Sequence, residues 1–394
     1  MRLLTFTSLY PDPVRPRHGI FVENRLRHLV ASGKVVSRVV APVPWFPSPH
    51  PVFGTYAKYA RVPRRELRHG IEVLHPRYPL LPKVGMTMAP FLMAAVVKPA
   101  IRRLIAEGYD FDAIDAHYFY PDGIAAVWLG RCFNKPVVVT ARGSDLHLIP
   151  KYPLPRRLIK SAAGAASGLI TVCQALKDVL VDMGVPDFKV TVLRNGVDLA
   201  LFRPPADRTA LRARLGFVQE PVVLSVGNLI PLKGHDIAIH AISRLSGARL
   251  LIAGDGPEKP KLEQLAQRLG VAHRVTFLGT VPHHRLVDLY GAADILVLAS
   301  SREGWANVLL ESMACGTPVV ATRVWGTPEV VTAPEAGTLI DERTPDALYA
   351  GICRLLSQNI RRELTRAYAE RFGWDETTQG QIDVFERVIA AHTA

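Results

Sequence analysis

The sequence predicts an α/β protein of two doubly wound, Rossmann-like lobes facing each other across a cleft. Three observations lead there. The chain has 394 residues, too many for one ordinary core, and 48% of them are hydrophobic, enough to fill two. Short runs rich in Val, Ile and Leu alternate with longer helical patterns, which is how parallel strands covered on both faces read. These runs fall into two consecutive sets, one per lobe.

The first set begins with the buried strand at Met1–Phe6 and continues with Val35–Ala41, Ala113–Ala116, Pro136–Thr140, Gly168–Val172 and Val190–Leu193. The second set is Val222–Val226, Arg249–Ala253, Val275–Leu278, Ile295–Leu298 and Val319–Ala321. Between them Asp198–Pro205, with Phe202-Arg203-Pro204-Pro205, breaks the pattern. The expected division is an acceptor-binding lobe over 1–200, rejoined by a last helix at about 376–394, and a donor-binding lobe over 201–375. Ligands of such sheets sit outside the carboxyl ends of the strands, so the loops just after each strand carry the chemistry.

Composition narrows the function. There is no run of about 18 apolar residues to span a bilayer, and the N-terminal apolar run is too short for a signal peptide. Cys132, Cys173, Cys315 and Cys353 show no metal-site or disulfide spacing, which fits a reducing cytoplasm. The net charge is +13, and residues 1–180 hold 25 Lys and Arg against 11 Asp and Glu, so all of the excess lies in the first half. Such a lobe suits an anionic partner, yet no helix-turn-helix, RNP or zinc-finger pattern points to nucleic acid. From Leu80 to Ile105 an apolar face (Met86, Met88, Phe91, Leu92, Met93, Val96, Val97) is followed by Lys98, Arg102 and Arg103. An interfacial helix on anionic lipid has this pattern, and so does a core helix with a charged end. The sequence leaves both open.

The segment Ser300–Thr322 is the most informative. After the strand Ile295–Leu298, a helix is expected from about Ala306 to Ala314, stopped by Gly316. Its N-terminus offers free backbone N–H groups to a diphosphate. Glu303 falls on the loop before it and Glu311 about one turn inside. A carboxylate there can accept hydrogen bonds from the two ribose hydroxyls. Alone, Glu303 reads more simply as a cap of the helix and Glu311 as a solvated helix residue.

The run Glu303-Gly304-Trp305-Ala306-Asn307-Val308-Leu309-Leu310-Glu311 resembles the E-x7-E signature of glycosyltransferase family four, a family with the two-lobed GT-B fold that retains anomeric configuration. Ser312-Met313-Ala314-Cys315-Gly316-Thr317-Pro318 is similar to the family as well. By this resemblance Glu303 contacts the donor sugar and Glu311 the ribose. Val226-Gly227-Asn228-Leu229 with Lys233-Gly234 looks like the phosphate loop, Asn228 standing where many members carry arginine, so that Lys233 and Arg302 do more. Gly254-Asp255-Gly256-Pro257 and Phe277-Leu278-Gly279 are similar to loops around the base. Gly326-Thr327-Pro328-Glu329 resembles the loop that completes the donor pocket, with Trp325 in place of a frequent second glycine. In the first lobe, Asp115-Ala116-His117 matches the family histidine that faces the donor sugar. Thr140-Ala141-Arg142-Gly143 has arginine for a common histidine, Arg194-Asn195-Gly196 precedes the linker, and Gly19 stands in the N-terminal glycine loop. The resemblance thus implies His117 and Glu303 at the reacting centre. Donor binding falls to Gly19, Arg142, Asn195, Gly227, Asn228, Lys233, Gly254, Arg302, Gly304, Asn307, Val308 and Glu311.

The expected reaction is retaining hexosyl transfer from a nucleoside diphosphate sugar to a saccharide or polyprenyl-linked acceptor, in exopolysaccharide or envelope glycan synthesis. No Asp-x-Asp pair stands on a cleft loop, so no metal and no cofactor beyond the sugar nucleotide is expected. The expected location is the cytoplasm, with the inner face of the plasma membrane as the anionic surface. Two rivals remain at this point: a nucleotide-sugar epimerase on the same fold, and a non-catalytic sugar-nucleotide-binding protein. A nicotinamide dehydrogenase is disfavoured, because no G-x-G-x-x-G follows the first strand.

Overall fold

The computed structural model describes residues 1–79 and 85–393. It divides into two units, one comprising Met1–Asn195 with Asp375–Ala394, the other Gly196–Trp374. The division falls at Asn195/Gly196, a few residues before the Phe202–Pro205 interruption.

The strands of unit 1 are β1 (Arg2–Phe6), β2 (Val36–Val40), β3 (Val43–Trp45), β4 (Arg65–Arg68), β5 (Ile71–Leu74), β6 (Arg77–Pro79), β7 (Ala113–His117), β8 (Val137–Ala141), β9 (Gly168–Thr171) and β10 (Val190–Val192). Eight of them form a sheet in the order β10-β9-β8-β7-β1-β2-β5-β4, and β3 pairs with β6 apart from it. Helix Ile20–Ala31 covers one face with Val22, Leu26 and Leu29, and the last helix, Asp375–Thr393, adds Ile382, Val384, Phe385 and Val388 to the same core. Each such fully buried side chain stabilises by about 1.5–3 kcal/mol.

Two features correct the sequence reading. First, β3 to β6 occupy a stretch in which no strand was expected. Second, β4 runs antiparallel to β5 at the sheet edge, turning through His69 and Gly70 at φ 49° and 78°, left-handed values that suit a two-residue hairpin. The sequence Arg65-Glu66-Leu67-Arg68 hid this strand, because an edge strand is half exposed and carries charges that block further pairing.

Unit 2 holds β11 (Val222–Val226), β12 (Arg249–Ala253), β13 (Val275–Gly279), β14 (Ile295–Leu298), β15 (Val319–Thr322) and β16 (Gly337–Ile340), all parallel, in the order β13-β12-β11-β14-β15-β16. The sequence reading missed β16, a short edge strand of half-exposed residues. In each sheet the order reverses once, beside β1 and β7 in unit 1 and beside β11 and β14 in unit 2. At such a switch point the connections leave toward opposite faces and the strand ends open a crevice.

The helix expected in the Leu80–Ile105 segment spans Gly85–Ala106. Residues 80–84 and the Met86 side chain lie outside the described residues. Met93, Val97, Ile101 and Leu104 are buried in the core, whereas Met88 and Phe91 are 39% and 41% exposed. Phe91 packs on Trp128, ring centroids 4.2 Å apart. The apolar face of the sequence is therefore divided, its central residues belonging to the core. Among the described residues no helix is long and apolar enough to cross a membrane.

Candidate functional site

In unit 2 the predicted residues gather at the carboxyl ends of β11, β12 and β14. The switch point places the loop after β11 beside the loop after β14, and their backbones are tied by Ser301 N–H donating to Leu232 O at 2.9 Å. Gly234 turns at φ 69°, and a Cβ there would lie 2.2 Å from Ala299 O. No larger residue fits that close approach. The result is an ion pair 70 residues apart in sequence, Lys233 Nζ to Glu303 Oε1 at 2.5 Å. Ser300 Oγ donates to the same oxygen at 2.6 Å. Glu303 is therefore not the helix cap that its position also allowed. The N-cap of helix Asn307–Ala314 is Ala306, which makes no side-chain bond, so the first N–H groups at Asn307 and Val308 receive none from it. Gly304 is buried in the turn that leads into them.

Arg302 is half-buried and forms no ion pair among the described residues, while the Asn228 side chain points outward, exposed. His235, which the sequence reading passed over, fixes the Asn228 backbone: Nε2 donates to Asn228 O at 3.2 Å, and Nδ1 bonds Ser225 Oγ at 2.9 Å. Burial lowers its pKa to about 4, so it is neutral at pH 7. Gly227 and Gly254 meet back to back, since a Cβ on Gly254 would lie 1.8 Å from Gly227 O. Gly254 N–H in turn donates to Gly279 O at 2.8 Å. The loops after β11, β12 and β13 thus form one connected rim.

Glu311 lies in helix Asn307–Ala314 with both carboxylate oxygens engaged. His283 Nε2 donates to Oε1 at 2.9 Å and Tyr290 Oη to Oε2 at 2.8 Å. Burial opposes charging His283, but the hydrogen bond and charge of Glu311 outweigh it, and its pKa is raised. Phe202 packs edge-on against both the His283 and Tyr290 rings. The aromatic residue that marked the interruption in the sequence is thus an anchor for this acid. A carboxylate oxygen accepts two hydrogen bonds, so each keeps one acceptor direction.

Gly326 N–H donates to Glu303 O at 3.3 Å, bringing the Gly326–Glu329 turn onto the same loop. Trp325 beside it sits at φ 48°. The physical reason for glycine at this point is the left-handed backbone, which costs a side-chain-bearing residue about 1–2 kcal/mol. Trp325→Gly and Trp325→Ala both remove the ring, so their difference isolates the backbone. The glycine variant should be the more stable by about 1 kcal/mol in urea unfolding, the reverse of the usual order. Equal midpoints would remove the strain argument.

In unit 1, His117 ends β7 and Arg142 follows β8. Arg142 Nη2 donates to His117 Nδ1 at 2.7 Å, and His117 Nε2 donates to Asp115 Oδ2 at 3.1 Å. Burial lowers the His117 pKa to about 4, the attraction of Asp115 being opposed by Arg142. Asn195 Oδ1 accepts from both Arg142 and Arg25 at 3.3 Å. Arg25 was missing from the sequence reading. It is 1% exposed, and burial holds its pKa well below the ordinary arginine value. Its sequence signal was a cation on the apolar stripe Val22, Leu26 and Leu29 of helix Ile20–Ala31. Gly19 is the left-handed N-cap of that helix, at φ 69°, and a Cβ on it would lie 2.2 Å from Leu9 O. Close contact with the chain after β1 therefore demands glycine there. Asp122, from the loop after His117, accepts from Ser8 N–H and Oγ at 3.0 and 2.9 Å, and burial raises its pKa to about 7. Among the described residues no group of three or more His, Cys, Asp or Glu side chains is gathered for a metal ion.

Comparison with known proteins shows the family of the chain. The model of glycosyl transferases group 1 matches residues 207–372, and that of glycosyltransferase family 4 matches 80–201. The chain is 38% identical over 313 residues to a D-inositol 3-phosphate glycosyltransferase of Acidothermus cellulolyticus, covering 71% of this chain and 68% of that one. It is 32% identical over 373 residues to the protein of the same name from Xylanimonas cellulosilytica, covering 87% and 88%. The fold resembles that of Anabaena Alr3699/HepE, solved in complex with UDP, with a TM-score of 0.74 at 20% identity over 98% of this chain and 100% of that one. With two Rossmann-like sheets and relatives of this kind across most of its length, the chain belongs to the family-four-like glycosyltransferases of GT-B fold.

Proposed function

We propose that the protein is a retaining hexosyltransferase. It would move a sugar from a nucleoside diphosphate sugar to a saccharide or lipid-linked acceptor in polysaccharide or envelope glycan synthesis. The observation that carries this is the Lys233–Glu303 pair, set beside the N-terminus of helix Asn307–Ala314 with Glu311 one turn further on. Lys233, Arg302 and the backbone N–H groups of Asn307 and Val308 offset the charge that develops on the departing diphosphate, without a resident metal. Such preorganised charge is the largest single contribution in many enzymes. Glu303 accepts sugar hydroxyls through its second oxygen, and Glu311 accepts the ribose hydroxyls in the directions His283 and Tyr290 leave open. In unit 1, which binds the acceptor, His117 has Nδ1 occupied by Arg142 and its Nε2 proton on Asp115, so it keeps no lone pair for nucleophilic attack. It would bind the sugar or the developing charge by exchanging its Asp115 contact for the ligand. The basic first half, with Met88 and Phe91 exposed, supports work at the inner face of the plasma membrane.

Thermal unfolding in the presence of UDP, GDP, ADP and their sugars tests the reading. UDP comes first because a structurally similar protein holds it. A ligand at about 100 times its dissociation constant adds about 2.7 kcal/mol to stability and raises the melting temperature. Release of nucleoside diphosphate with sugar transferred identifies a transferase, whereas conversion without release identifies an epimerase. No shift with any nucleotide would sink the proposal.

A further inference from the structure

Unit 1 contains a cavity of about 450 Å³ bounded by Trp45, Arg64, His75, Arg77, Val96 and Arg103. Trp45 ends β3, His75 follows the carboxyl end of β5, and Val96 and Arg103 come from helix Gly85–Ala106. No carboxylate lines it among the described residues. Of the carboxylates that act on its lining residues, Glu66 is bonded to His75 Nε2 at 2.9 Å, and Asp12, whose charge reaches Arg77, is paired with Arg15 at 2.7 Å. Arg77 donates to two backbone carbonyls, Tyr59 O and Val62 O, which anchor the guanidinium without neutralising it. Burial first, and then the charge of Arg64, lowers the Arg77 pKa, against the smaller attraction of Asp12. Neither Arg64 nor Arg103 forms an ion pair among the described residues. Like charges held around a cavity whose neighbouring carboxylates are engaged elsewhere destabilise the fold, and an anion seated there offsets that cost. Arginine offers a planar fork that matches phosphate oxygens. The remaining walls, Leu74, Pro76, Pro99 and Ala100, are apolar, and Trp45 at the mouth is 55% exposed.

We propose that this cavity binds the phosphate or diphosphate of an acceptor whose apolar chain lies along Trp45, Val96 and Pro99. The inference rests on the lipid-linked reading of the acceptor and names the group that is recognised. Free inorganic phosphate shares the anionic chemistry, and the test separates the two sources. Geranyl diphosphate, inorganic pyrophosphate and geraniol are titrated into the full chain calorimetrically, with Arg64→Gln/Arg103→Gln as the variant. Both side chains are exposed, so the fold tolerates the exchange, and neither belongs to the donor site.

The expected result is that geranyl diphosphate binds at least tenfold more tightly than pyrophosphate or geraniol, and at least tenfold more weakly to the variant. The melting-temperature rise with nucleoside diphosphate should be the same in both proteins. Equal affinity of wild type and variant for geranyl diphosphate, or no binding to the wild type, overturns the site. Equal affinity for pyrophosphate and geranyl diphosphate overturns the lipid half. Loss of the nucleotide response in both proteins concerns the donor reading alone, because the cavity is read out without nucleotide.

Discussion

Lys233→Ala should lower kcat about 100–1000-fold, the cost of removing one preorganised charge from a developing anion. It should also weaken nucleoside diphosphate binding, since the same ammonium meets the ground-state diphosphate. The physical cause is the 2.5 Å contact with Glu303. Glu303 fixes the lysine by charge and hydrogen bond, and Ser300 Oγ donates to the same carboxylate oxygen at 2.6 Å. Glu303→Ala should therefore lose activity on the same scale, and the double variant should be little worse than the poorer single one, as for residues that act as a unit. Initial-rate kinetics with circular dichroism melts on the same samples separate this from unfolding. Fully additive losses would show that the two side chains act independently.

Glu311→Ala should cost about 3–5 kcal/mol in urea unfolding. The change leaves the His283 N–H and the Tyr290 hydroxyl without their acceptor, and hydrogen bonds to charged groups are worth about 1.5–3 kcal/mol each. The variant should also lose about tenfold or more in affinity for nucleoside diphosphate while binding inorganic pyrophosphate as before, because only the ribose contact is removed. An equal loss for pyrophosphate would move Glu311 from the ribose to the phosphates. The pH dependence adds a second signature. His283 has a raised folded pKa, so its contribution to stability is complete below its unfolded value of about 6.5 and is lost as pH rises through the folded one. Wild type should lose stability across that interval relative to Glu311→Ala, in which only the smaller attraction of Asp198 still favours the charged His283.

The elements that carry the candidate donor residues were legible in the amino-acid order because they are local. A strand, a turn and a helix N-terminus follow one another within Ile295–Ala314, and the E-x7-E spacing lies inside a single loop and helix. At Trp325 the sequence showed only a departure from a frequent glycine, and the left-handed backbone came from the structure. The strands β4 and β16 were not, since edge strands carry half the apolar signal of central ones. Nor was Arg25, a charged residue on an apolar stripe, where hydropathy predicts none.

By itself, then, the sequence determined the central parallel strands of both sheets and the residues on the loops that follow them. Only the tertiary structure decided which loops meet. Reversal of strand order beside β11 and β14 sets Lys233 against Glu303, and packing of helix Asn307–Ala314 beside Leu286–Ala292 gives Glu311 the hydroxyl of Tyr290. Strand order depends on long-range pairing, and local propensity carries no record of it.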